Sequence, residues 1–310
     1  MSRPSCTTRL AYKEVAGHEI HLEVWLPADA TGPVPSVAFL HGGGFFDGAA
    51  GDASDVNLLP TLARGWAFIS LEYRLVPQVS LDDIIEDVKA GCEFVQSGKL
   101  DEALGGGKVD GSKFALYGAS AGGTLALLAG YQLATPPSVI YALYPASDIT
   151  HPSYTAPVNF PSGHISRSSV EHYLDPSGPV VSHAPANVDF STFTAKDRTL
   201  ACFWAVQEGI VSPLATRTTD PEELKRFVAK TWVEKGVKVP TVVLHGVEDK
   251  MVPVGTSEEL VNALKEHGVE AEMIKAEGQD HGFDLAPGVW GDAEKMKVFE
   301  QANDFVAKYL

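Results

Sequence analysis

The most constraining feature of this sequence is a run of small residues, Gly118-Ala119-Ser120-Ala121-Gly122, set between two apolar stretches. Before it, Lys113 to Tyr117 reads as a strand; after it, Ala121 to Leu133 reads as a helix of small residues. A chain that passes from strand to helix this abruptly must turn sharply, so the turn residues need small side chains or no Cβ. Such a turn suits architectures in which strands and helices alternate.

The rest of the chain keeps that rhythm. Val37 to Leu40, Ala67 to Leu71, Val139 to Tyr144, Thr241 to Leu244 and Ala271 to Ile274 are short apolar runs bounded by turn residues, as in strands buried on both faces. His18 to Leu26 alternates instead, with Ile20, Leu22, Val24 and Leu26 on one face. Helices are predicted at about Leu81 to Val95, where Ser80 and Asp83 form a capping pair, at Thr256 to His267 and at Asp292 to Tyr309. The fold class is therefore α/β, a mostly parallel central sheet with helices on both faces. The 310 residues and 45% apolar content are ample for one such unit.

One segment breaks the alternation. From Asp148 to Gly236 there is no comparable buried strand; instead there are many Pro, Ser and Thr with scattered aromatics: Tyr154, Phe160, Tyr173, Phe190, Phe193, Phe203 and Trp204. Asp220-Pro221-Glu222-Glu223 starts a helix whose apolar stripe is Leu224, Phe227, Val228 and Trp232. A structureless loop of this length is improbable. The segment reads as an inserted helical cap, dividing the chain into a core of residues 1–147 and 237–310 and a cap of 148–236.

Charge and cysteine content narrow the function classes. Forty acidic against 24 basic side chains, a formal charge of −16, argue against a nucleic-acid surface or an anionic membrane. Three widely spaced cysteines, Cys6, Cys92 and Cys202, suggest neither a disulfide framework nor a zinc site. Met1 to Arg9 lacks the apolar core of a signal peptide, and no stretch has the roughly 18 apolar residues of a membrane helix. The expectation is a cytoplasmic protein with no metal and no cofactor, whose partner is a small molecule; self-association as a homodimer stays open.

The turn also carries chemistry. Gly118 to Gly122 fits G-x-S-x-G, which exposes a serine hydroxyl at a helix N-terminus, although the pentapeptide is weak evidence by itself. His41-Gly42-Gly43-Gly44-Phe45 follows the strand Val37 to Leu40, where a loop of backbone N–H donors would face a developing oxyanion. The expected donors are the amides of Gly43, Gly44 and Ala121, and Phe45 is the candidate substrate contact. A serine nucleophile needs a base, and the base an orienting acid. Asp249 follows the strand Thr241 to Leu244, with Glu248 as the alternative acid. Beyond it lie only His267, which reads as a helix C-cap, and His281, in the loop Asp280-His281-Gly282-Phe283. Ser120, Asp249 and His281 are the candidate triad; His41 and His245 read as loop braces.

Together these residues resemble the hormone-sensitive-lipase-like group of α/β-hydrolases. The likeness rests on His41 to Phe45, Glu72-Tyr73-Arg74-Leu75-Val76-Pro77, the elbow at Gly118 to Gly123, Asp249 and Asp280 to Phe283. It implies an α/β-hydrolase fold and a serine carboxylesterase. The sequence departs from the group at Ala119, where an aspartate is usual, in its strand-first N-terminus, and in the acid loop from Gly246 to Pro253. The low lysine content, with many Ala, Pro and Ser, is also similar to small hydrolases of fungal natural-product pathways.

The leading expectation is hydrolysis of a small-to-medium apolar carboxylic ester through an acyl-Ser120 intermediate. A thioester, a lactone or an aryl formamide would suit the same triad, and a non-catalytic ligand-binding protein is the third alternative.

Overall fold

A computed structural model describes residues 3–160, 162–190, 192 and 194–310; of the aromatics named above, Phe193 lies outside the described residues. Eight strands form one sheet: β1 (Thr8–Val15), β2 (His18–Trp25), β3 (Val34–Leu40), β4 (Ala67–Leu71), β5 (Val109–Ala119), β6 (Val139–Leu143), β9 (Thr241–Gly246) and β10 (Ala271–Ala276), in spatial order β1-β2-β4-β3-β5-β6-β9-β10. Two-residue strands β7 (Val188–Asp189) and β8 (Thr194–Ala195) pair separately. The contacts β1–β2 and β2–β4 are antiparallel; from β4 to β10 every pairing is parallel.

The apolar runs behave as strands buried on both faces. In β3, Val37 and Phe39 join one core while Ala38 and Leu40 join the other. Ala115 and Tyr117 of β5 alternate in the same way with Phe114 and Leu116, and Val139, Tyr141 and Leu143 of β6 with Ile140 and Ala142. Helices α1 (Asp55–Ala63) and α11 (Ala293–Val306) cover the first face. Helices α2 (Leu81–Gln96), α3 (Lys99–Ala103), α4 (Ala121–Gly130) and α10 (Val254–Glu266) cover the second. At the start of α2, Ser80 accepts from the amide of Asp83, whose carboxylate accepts from the amide of Ser80, a reciprocal cap.

Between β6 and β9 lie α5 (Pro152–Thr155), α6 (Asp197–Gln207), α7 (Val211–Thr216), α8 (Pro221–Leu224) and α9 (Ala229–Glu234), with short 3-10 turns. The helix expected to run from Asp220 through Trp232 is broken. Val228 is extended because it bridges Asp148, and the indole of Trp232 turns back onto the carbonyl of Arg226 at 2.8 Å. Among the described residues no helix is long and apolar enough to cross a membrane.

Candidate active site

Ser120 stands between β5 and α4 with φ 55° and ψ −121°, a conformation that L-residues seldom adopt. The fold holds it there from both sides. Its amide donates to the carbonyl of Leu143 at 2.9 Å, and its own carbonyl accepts the amide of Thr124 at 3.0 Å. Close packing explains the glycine two residues on: a Cβ at Gly122 would meet the carbonyl oxygens of Leu40 and His41. Ala119, small and nearly buried, lines the pocket beside the serine.

Two loops converge on this turn from the ends of β9 and β10. Ser120 Oγ lies 3.0 Å from Nε2 of His281, and Nδ1 of His281 lies 2.7 Å from Oδ2 of Asp249. With Nδ1–H donating to the carboxylate, Nε2 is free to accept the serine proton, so the network assigns the tautomer. The side chain of Asp249 is fully buried. Its Oδ1 accepts the amides of Met251 at 2.9 Å and Val252 at 2.7 Å. Burial pushes the Asp249 carboxyl up, but the charge of His281, hydrogen bonds from His245 and His281 and the Val252 amide outweigh it and hold it well below the usual carboxylate range. Glu248, the alternative acid, is exposed, and its amide donates to the carbonyl of Gln279.

The glycine loop lies beside them. Gly43 has φ +100°, open to glycine, and a Cβ there would collide with Asp47. Gly43, Gly44, Ala121 and Phe45 all line the pocket that contains Ser120 and His281. Among the described residues the amides of Gly43, Gly44 and Ala121, the expected oxyanion donors, have no backbone acceptor. The pocket is mostly apolar and aromatic: Tyr144, Tyr154, Phe190, Phe203, Ile149 and Val211 form much of its wall. Phe203, from α6, stacks on Phe160 with ring centroids 5.1 Å apart. Among the described residues no group of three or more His, Cys, Asp or Glu is placed to hold a metal ion.

The other histidines settle into supporting places. His267 caps α10 through Nδ1 and the carbonyl of Ala263, 2.9 Å apart. His41 stacks on Tyr73, whose hydroxyl donates to the His41 carbonyl at 2.7 Å. His245 does more than brace its loop: its Nε2 is 3.2 Å from Oδ2 of Asp249 and 3.0 Å from the carbonyl of Val252.

Two further supports went unread in the sequence. Asp280 Oδ1 accepts the amides of both His281 (2.8 Å) and Lys250 (2.9 Å), tying the His281 loop to the Asp249 loop. Tyr144 packs its ring 4.6 Å from that of His281 and donates its hydroxyl to the buried Asp284. Of these, only Asp280 had a local signal, its place next to His281.

Residues 22–156 match the BD-FAE family and residues 194–310 the prolyl oligopeptidase family. Curated relatives include non-reducing polyketide synthases of Stachybotrys bisbyi, 30% identical over 93% of this chain, and of Acremonium egyptiacum, 30% identical over 90%. The chain spans only 14% of the length of either synthase. Among solved structures, a Staphylococcus aureus protein of unknown function superposes with a TM-score of 0.74 at 21% identity, covering 97% of this chain and 99% of its own. A thermophilic esterase of Thermogutta terrifontis superposes with a TM-score of 0.64 at 20% identity, covering 97% of this chain and 91% of its own.

Proposed function

We propose that this chain, which belongs to the α/β-hydrolases, is a serine acyl hydrolase that cleaves a small-to-medium apolar carboxylic ester through an acyl-Ser120 intermediate. The observation that carries the reading is the unbroken line from Ser120 Oγ through His281 to the buried carboxylate of Asp249.

The chemistry follows from that line. His281 Nε2 takes the Ser120 proton as Oγ bonds to the ester carbonyl carbon, and the carbonyl electron pair moves onto oxygen. The amides of Gly43, Gly44 and Ala121 receive the oxyanion. Asp249 keeps Nδ1 protonated and stabilises the imidazolium, without itself taking the proton. As the intermediate collapses, the bond to the alcohol oxygen breaks and the alcohol leaves with the proton from Nε2. Water then repeats the sequence, giving its proton to Nε2 as it attacks the acyl carbon. The acid departs, and the proton returns to Ser120. The apolar, aromatic wall suits an apolar acyl group, with Phe45 beside it.

A second reading keeps the machinery and changes the leaving group. The polyketide synthase relatives align over nine-tenths of this chain, which favours a polyketide-type acyl thioester in a fungal natural-product pathway. The test is turnover of p-nitrophenyl esters of rising chain length beside matched N-acetylcysteamine thioesters, for wild type and Ser120→Ala. Faster ester turnover lost in Ser120→Ala supports the first reading, and faster thioester turnover the second. No turnover of any acyl substrate by wild type would contradict both.

A further inference from the structure

The loop that carries Gly43 and Gly44 is clamped by the segment between β6 and β9. Gly48 and Ala184 exchange two backbone hydrogen bonds, of 2.6 and 3.0 Å. Two consecutive residues of α6 reach the same loop. Arg198 donates from Nε to the carbonyl of Phe46 at 2.9 Å, and from a terminal nitrogen to the carbonyl of Val76 at 2.7 Å. Thr199 accepts the amide of Asn187 at 2.9 Å and donates its hydroxyl to Oδ2 of Asp47. One turn on, the Cys202 side chain lies against Gly44.

Asp47 is the point where these ties meet the glycines. It is fully buried, its amide donates to the carbonyl of Gly43 at 3.2 Å, and its carboxyl occupies the space where a Cβ of Gly43 would stand. Among the described residues its Oδ1 has no hydrogen-bond partner. An apolar side chain of similar size would fill that space without burying an unpaired polar atom. A hydrogen bond from the Thr199 hydroxyl holds the other carboxyl oxygen, which ties the glycine loop to α6.

We propose that Asp47 and Thr199 are a positioning pair that aims the Gly43 and Gly44 amides at the oxyanion, which makes the 148–236 segment part of the catalytic apparatus as well as a wall of the pocket. The inference rests on the reading of Ser120 as nucleophile and of the glycine amides as oxyanion donors. It has a signature in pH. Burial pushes the Asp47 carboxyl up to about 7, and Asp52 adds to this, while the Thr199 hydrogen bond and the Arg198 charge oppose it. The other titratable groups facing it, Tyr73 and Cys202, are buried and have their ionisation pushed up, so both stay neutral. Ionised Asp47 puts a negative charge behind donors that must hold another, and weakens them.

The test compares Thr199→Val, Asp47→Ala and Asp47→Asn with wild type and Ser120→Ala, reading kcat and KM for p-nitrophenyl butyrate across neutral pH, together with the melting temperature. Thr199→Val and Asp47→Ala are expected to lower kcat about 10- to 100-fold with KM and melting temperature little changed. Asp47→Asn, which still accepts from Thr199, should restore most of kcat and lack the decline expected of wild type on the alkaline side of about pH 7. The pair is overturned if Thr199→Val and Asp47→Ala keep wild-type kcat. It is equally overturned if kcat, KM and melting temperature fall together with no rescue by asparagine. Full turnover by Ser120→Ala would instead remove the nucleophile reading on which the pair depends.

Discussion

Nε2 of His245 sits 3.2 Å from Oδ2 of Asp249, the oxygen that also takes the Nδ1 hydrogen bond of His281. Ser257 lies 2.8 Å from the other His245 nitrogen, so its hydroxyl donates there and Nε2–H is left facing the acid. Two imidazoles therefore share one buried carboxylate, that of the proposed base and a second that steadies the acid.

Removing the second imidazole should loosen the acid without touching the pocket. His245→Gln is expected to lower kcat/KM about 10- to 100-fold, the worth of one charge-assisted hydrogen bond, with KM unchanged. Steady-state kinetics check it. Wild-type values would reduce His245 to a loop brace.

Asp249→Asn replaces an acceptor with a group that also donates, and so favours the wrong His281 tautomer. The expected result is a fall in kcat of about 10⁴-fold with the fold intact. Glu248→Gln, on an exposed side chain, should change kcat less than about threefold, since surface substitutions away from such networks stay within about 0.5 kcal/mol.

The positions of Asp249 and His281 were legible because each lies in a loop after an apolar strand, where chain order alone restricts the choice. The strands were legible for the same reason: Ala67–Leu71 is buried at every position, so its pattern has no solvent face to blur it. β1 was missed because Thr8–Val15 is an edge strand of half-exposed, mixed polarity with a register shift between Ala11 and Lys13. α1 was missed because Pro60 sits inside it and Ser54 makes no side-chain cap bond. The roles of His245, Tyr144 and Asp47 depend on contacts between segments far apart in sequence or between a strand end and its loop, which no local pattern carries.

Asp47 also makes a prediction about stability. Its carboxyl titrates near 7 when folded and near 4 when unfolded, so the folded state holds a proton that the unfolded chain has lost. Wild type should thus lose stability as pH rises from about 4 to about 7, and Asp47→Asn should not lose this part. Denaturant unfolding at about pH 8 should find Asp47→Asn more stable by roughly 2–4 kcal/mol. Equal stability at that pH would contradict the assignment.

Phe203 lines the pocket and is itself 3% exposed, so trimming it exchanges core packing for space. Phe203→Ala should shift the preferred p-nitrophenyl ester toward longer acyl chains while costing about 3–5 kcal/mol of stability. An unchanged chain-length profile would place the acyl group elsewhere in the cavity.

The central claim is that Ser120 is the acylated residue, and adduct mapping tests it most directly. Wild type treated with a fluorophosphonate, digested and analysed by mass spectrometry should carry one adduct, on Ser120, and Ser120→Ala should carry none. An unmodified Ser120 in wild type, or equal labelling of Ser120→Ala, would contradict the account.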